Sequence, residues 1–254
     1  VISSLTSSLT DSVLVTFIVF CRIGGCLMFV PGYSSGIVPP QIRLFIALVT
    51  TFALTPILIA VLKPLTENAA PLTLALLIGS ETLVGSVIGL GGRVFFLALQ
   101  TMATVMASAI GLSNIPGTPI ADTDPAPALV PLIMASVTTL FFVTDQHWQV
   151  LRGLMNSYDV WQPGSRLGDS MPLDQLVARL SEAFVLTLRI ASPFIVYSVI
   201  VNLAVGLINK LTPAIPVYFV SVPFVLFGGF LLLYLTSDEL LTQFMLGVSS
   251  WLVE

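Results

Sequence analysis

Residues 72–90 read LTLALLIGSETLVGSVIGL, a run with one ionisable side chain, Glu81, and no proline. Its length matches the roughly 20 residues that an α-helix needs to cross the ~30 Å hydrocarbon layer of a bilayer. Its polar residues are short hydroxyls apart from that one acid. Similar blocks recur on both sides: Val13–Val30, Ile42–Leu62, Val94–Leu112, Leu129–Val143, Ala183–Ile208 and Ile215–Leu235. The whole chain of 254 residues is 56% hydrophobic and 9% charged, where a soluble domain is about one quarter charged. None of the blocks shows the period-two alternation of a membrane barrel strand. The expected fold is an all-α membrane protein of about six or seven hydrophobic helices in a single domain over 1–254.

Composition excludes several functions. Net charge is -4 and no basic run occurs, so a nucleic-acid role lacks its electrostatic footprint. Cys21 and Cys26 are five residues apart, which places them on different helix faces as small hydrophobes. His147 is the single histidine, so a multi-histidine metal site is impossible. No phosphate-binding Gly-Lys-Ser/Thr loop is present. Gly89, Gly91 and Gly92 follow an apolar helix rather than a strand, so they do not read as a dinucleotide loop. No catalytic, cofactor-binding or metal residue is assigned.

The punctuation is informative. The Ser/Thr-rich opening carries only Asp11 and reads as the exposed start of the first helix, which Pro31 ends. Gly89-Leu90-Gly91-Gly92-Arg93 separates the third and fourth blocks. Residues 111–127 hold four prolines, two glycines and two acids without Lys or Arg, and no helix runs through them. The polar region Asp145–Glu182 carries Arg152, Arg166 and Arg179, with a helix start between Pro172 and Leu180. Lys210 and Pro213 mark a turn, and Asp238, Glu239 and Glu254 make an acidic tail. Pro56, Pro193, Pro216 and Pro223 predict kinked helices whose freed backbone groups need protein partners. With the start outside and seven blocks alternating, Arg43, Arg93, Arg152, Arg166 and Arg179 fall on the cytoplasmic side, and loop 113–127 faces outward.

Glu81 is the most suggestive residue. A carboxylate near the bilayer centre costs on the order of 2.5–3.5 kcal/mol on insertion scales. It is a proton or ion site, or a partnered residue at a helix contact. The absence of a second acid in any block favours the contact. Arg22 and Arg189 sit nearer helix ends, where snorkelling is expected. Gly85 and Gly89, and Ala103, Ala107 and Gly111, have the four-residue spacing of closely packed helices. A secondary transporter that uses Glu81 is the alternative function, though no inverted repeat supports it.

An ordered set of residues resembles the FliR/SctT family of type III export-gate proteins. It comprises Arg22, Pro31, Val38-Pro39 and Arg43, then Ile110-Gly111-Leu112-Ser113 and Asp124-Pro125. Phe141-Phe142, His147 and Pro163-Gly164 follow, and Asn202-Leu203-Ala204-Val205-Gly206-Leu207-Ile208-Asn209-Lys210 leads to Pro213 and Pro223. The chain departs from the family pattern at Pro213-Ala214, where Pro-Gln is usual. The resemblance implies helical hairpins packed in a spiral hetero-oligomer in the bacterial inner membrane, at the flagellar basal body. The partners it implies are FliP-like, FliQ-like and FlhB-like subunits, and unfolded flagellar proteins as cargo. It also implies a pore-plugging loop with Gly111, Leu112, Ser113, Asn114, Ile115, Pro116, Gly117, Asp124 and Pro125. Subunit packing falls to Arg22, Arg43, Gly85, Gly89, Asn202, Gly206, Lys210 and Pro213. The flagellar branch is the closer match to the overall pattern.

Overall fold

The computed structural model describes residues 2–34, 38–67, 69–112, 127–164 and 173–253, and side chains from 10–34, 38–67, 69–112, 127–164 and 177–250. Seven helices follow in order: α1 (Ile2–Phe29), α2 (Pro40–Thr66), α3 (Pro71–Ala109), α4 (Leu129–Val143), α5 (Gln146–Val160), α6 (Leu173–Leu211) and α7 (Val217–Val253). No strand occurs among the described residues. Five of the helices are long and apolar enough to cross a membrane, or six spans if the interrupted pair α4–α5 counts as one. The expected all-α membrane class and helix number therefore hold.

Several boundaries differ from those expected, each for a local reason. The Gly89–Arg93 sequence does not break a helix. α3 runs unbroken through it for 39 residues. Glycine costs a helix about 1 kcal/mol, and here its lack of a side chain lets a neighbouring backbone come close. With no turn at Arg93, the third and fourth blocks are one helix, and the seven-span alternation used to orient the chain falls. α6 begins at Leu173, so the mixed-charge start and the apolar block form one element. α7 continues through Asp238 and Glu239, so these two residues of the expected tail are helical, and Glu254 lies outside the described residues. Pro216 precedes α7 rather than kinking it, while Pro56, Pro193 and Pro223 do lie inside helices. Each removes one backbone N–H from its helix.

The contacts divide the chain into two compact units. One comprises Val1–Arg93 with Asp145–Arg179, and the other Val94–Thr144 with Leu180–Leu252. In the first, α1 packs on α2. α1 buries Val15, Ile18, Val19, Ile23 and Cys26, and α2 buries Ala47, Thr51, Leu58 and Leu62 along one stripe. Both cysteines are free, and Cys21 is only partly buried. Hydroxyls that face apolar surroundings bond back to their own helix. Thr50 donates to the Ile46 carbonyl (2.8 Å) and Thr51 to the Ala47 carbonyl (2.7 Å). That internal satisfaction is what lets Ser and Thr sit in an apolar block. In the second unit, Phe96 stands edge-on to Phe141 and Phe244, with centroids 6.2 and 5.5 Å away, a favourable geometry for aromatic pairs.

The tightest packing in the first unit lies between α1 and the first half of α3. A Cβ on Gly85 would run into the Arg22 backbone carbonyl. One on Gly89 would meet the Cys26 carbonyl and come within 2.9 Å of Phe29 Cβ. From the opposite side, a Cβ on Gly25 would lie 2.8 Å from the Thr82 carbonyl oxygen. Three glycines thus let two backbones approach at distances no other residue allows. Gly79, six residues before Gly85 on α3, faces open space. Gly85→Val is therefore expected to lower the melting temperature in detergent strongly, by at least the 1–3 kcal/mol of ordinary overpacking. Gly79→Ala is expected to be neutral or mildly stabilising. Equal effects of the two substitutions on thermal unfolding would contradict the packing.

Candidate functional site

The glycine contact between α1 and α3 brings two charged residues together. Arg22 is fully buried and Glu81 is 1% exposed. Arg22 donates from Nε to Glu81 Oε2 (2.6 Å) and from Nη2 to Glu81 Oε1 (2.8 Å). This is the planar, two-pronged pairing that suits guanidinium to carboxylate. Nη2 also donates to the Trp161 carbonyl (3.0 Å), and Nη1 donates to Ser157 Oγ (3.1 Å). Ser157 Oγ in turn donates to the Leu154 carbonyl (2.6 Å). The Tyr158 ring lies beneath the guanidinium, 3.9 Å from its carbon to the ring centroid, so the π face adds a cation contact.

α5 supplies the third wall. Its buried residues Val150, Leu154, Ser157 and Tyr158 recur at helical spacing, so this helix lays one face on the protein and turns Trp148 and Arg152 outward. It starts after Asp145, whose φ of 58° lies in the left-handed region, a conformation that Asp tolerates better than most residues. Ser157, Tyr158 and Trp161 were not singled out in the sequence. The signal was present in the 150, 154, 157/158 periodicity of a segment read only as polar connection.

Arg22 does not snorkel. Its head group is the most deeply buried charge described, because Glu81, Ser157 and Trp161 replace water as its partners. Both oxygens of Glu81 accept from that arginine, which is the arrangement of a partnered residue at a helix contact. What the arrangement does chemically is bind three helices to one ion pair.

The remaining expected site residues are more dispersed. Arg43 donates from Nη2 to the Val38 carbonyl just before its own helix (3.3 Å). On α6, Asn202 is exposed and donates to Ser198 Oγ (3.1 Å), and Gly206 faces open space. Lys210 and Pro213 are exposed at the end of α6 and in the turn after it. Gly111 has a φ of +82°, which suits glycine and ends α3, and Leu112 beside it is buried. Ser113, Asn114, Ile115, Pro116, Gly117, Asp124 and Pro125 lie outside the described residues. His147 Nε2 stands 4.0 Å from Asp145 Oδ1. Among the described residues no group of three or more His, Cys, Asp or Glu is arranged to hold a metal.

Breaking the buried pair from one side leaves an uncompensated charge. Glu81→Ala and Arg22→Ala are each expected to destabilise the chain by about 3–5 kcal/mol. Arg22→Met combined with Glu81→Leu is expected to cost less than either single change, because no charge is left behind. Denaturant titration in mild detergent measures all three. A double variant as damaging as the sum of the singles would show that the two residues do not act as a pair.

Comparison with known proteins accords with this framework. The family model described as bacterial export proteins, family 1, matches residues 13–249. The flagellar biosynthetic protein FliR of Caulobacter vibrioides is 29% identical over 228 residues, covering 88% of each chain. The flagellar biosynthetic protein FliR of Escherichia coli K12 is 26% identical over 208 residues, covering 82% of this chain and 78% of that one. A match from the start of the first apolar block to the last turns of α7 spans all seven helices. This chain belongs to family 1 of the bacterial export proteins.

Proposed function

We propose that this chain is a non-catalytic, inner-membrane subunit of the flagellar type III export gate. It acts as one export-gate unit over residues 1–254 and assembles with FliP-like and FliQ-like subunits, joined by an FlhB-like subunit, at the basal body. Together they line the channel through which unfolded flagellar proteins leave. The family match over residues 13–249 carries the reading, supported by two relatives whose names place them in flagellar biosynthesis.

The helices supply a physical argument for partners. Exposed apolar side chains on α6 run from Leu180 through Phe184, Val196, Leu203 and Leu207 to Leu211. At 1.5 Å per residue that is about 45 Å of helix, against a hydrocarbon layer of about 30 Å. Tilts of membrane helices reach about 40°, too little to fit that length within lipid. Protein cover over part of this length is the reading it supports. On the same helix Asn202 and Gly206 supply a hydrogen-bonding group and a close-approach position, the two features that join helices in lipid. In this reading Arg43, Lys210 and Pro213 also serve subunit packing. Arg22, Gly85 and Gly89 serve it indirectly, by fixing how α1 and α3 pack within the first unit. The segment Gly111–Pro125 is the loop that blocks the closed channel.

Affinity purification of the C-terminally tagged chain from native membranes is expected to recover FliP-like and FliQ-like proteins in one complex. A clean monomer, in cells expressing those partners, would overturn the assignment. Gly206→Leu is expected to lower partner recovery several-fold while leaving the melting temperature of the isolated chain unchanged. Deletion of residues 114–121 is expected to raise ion leakage through the assembled gate. Unchanged conductance and export would remove the loop from that role.

A further inference from the structure

The carboxyl end of α3 is seated on α7 at Gly229, and the adjacent Gly228 receives Tyr197 of α6. Ile110 occupies the space where Gly229 has no side chain. A Cβ at that position would overlap Ile110 Cβ and lie 2.7 Å from Ile110 Cγ2. One residue earlier, a Cβ on Gly228 would lie 3.2 Å from Tyr197 Cζ. The Tyr197 hydroxyl reaches across α6 to α7 and donates to the Val225 carbonyl (2.8 Å). Gly111, at φ +82°, points its open side at Val225 and Leu226, 3.9 and 4.0 Å away. Ile110 is fully buried and Leu112 nearly so. The last described residues before position 113 are thus held by α7, and α7 at that level is tied to α6.

We propose that Gly228–Gly229, with Tyr197, forms a positioning seat that sets where the chain leaves α3. The position of the chain at the root of the loop is thereby set through Ile110 and Gly111. The inference rests on the loop reading given above and names the residues that regulate it. Neither glycine is placed by spacing in a repeat. Each is required by a specific neighbour, Tyr197 for one and Ile110 for the other. The hydroxyl bond is the single polar link in the seat, so Tyr197→Phe loosens it without changing shape. Gly229→Val forces Ile110 away, and Ile110→Gly on that background restores the space.

The test is ion leakage of membrane vesicles that hold the assembled gate, compared at equal partner recovery, with the 114–121 deletion as reference. Gly229→Val is expected to raise leakage several-fold toward that of the deletion. Ile110→Gly on that background is expected to bring it back toward the parent. Tyr197→Phe, which preserves packing, is expected to give a smaller rise, and it decides the matter if Gly229→Val does not assemble. A leaky deletion together with parental leakage in every assembled seat variant overturns the seat and leaves the loop reading standing. A deletion that does not leak overturns both.

Discussion

The ion pair between Arg22 and Glu81 is the constraint around which the first unit is arranged. A buried charge is tolerated only with a partner of good geometry and further hydrogen bonds, and Arg22 has both. Two of its nitrogens meet the carboxylate, one of these also reaches a backbone carbonyl, and a third nitrogen meets a serine hydroxyl. That geometry needs α1 and α3 closer than ordinary side chains permit. Gly25, Gly85 and Gly89 therefore belong to the same requirement as the charges. α5 follows from it too, because Ser157 and Trp161 satisfy donors that the carboxylate does not reach.

The second unit solves a different problem. It holds no described buried ion pair, and its centre is aromatic, with Phe96 between Phe141 and Phe244. Close approach again depends on glycine, at Gly228 and Gly229, but the residues accommodated are Tyr197 and Ile110. An aromatic core fixes shape without demanding one hydrogen-bonding partner for each group. Its outer surface remains strongly apolar along α6 and α7. A unit built this way packs through its inner face and leaves a large apolar outer surface.

Sequence and tertiary structure divide the information along physical lines. Length and polarity of the apolar blocks determined that the chain is helical and membrane-embedded, because a bilayer admits helices and closed barrels only and no alternating strand pattern was present. The ordered motifs from Arg22 to Pro223 determined the family. Glu81 was visible as an anomaly, since one acid in an apolar block is costly wherever it faces. Its partner was not visible. Arg22 lies 59 positions away, and nothing local distinguishes a buried arginine from one whose head group reaches the membrane surface. The Gly89–Arg93 sequence shows the same limit, since a glycine cluster that would end an isolated helix continues within α3, where the α1 backbone packs against Gly89. Helicity, membrane class and family were written in composition and order, which act locally. Which charge meets which, and which glycine admits which neighbour, was decided only when distant segments packed, because those contacts depend on approach distances that sequence spacing does not contain.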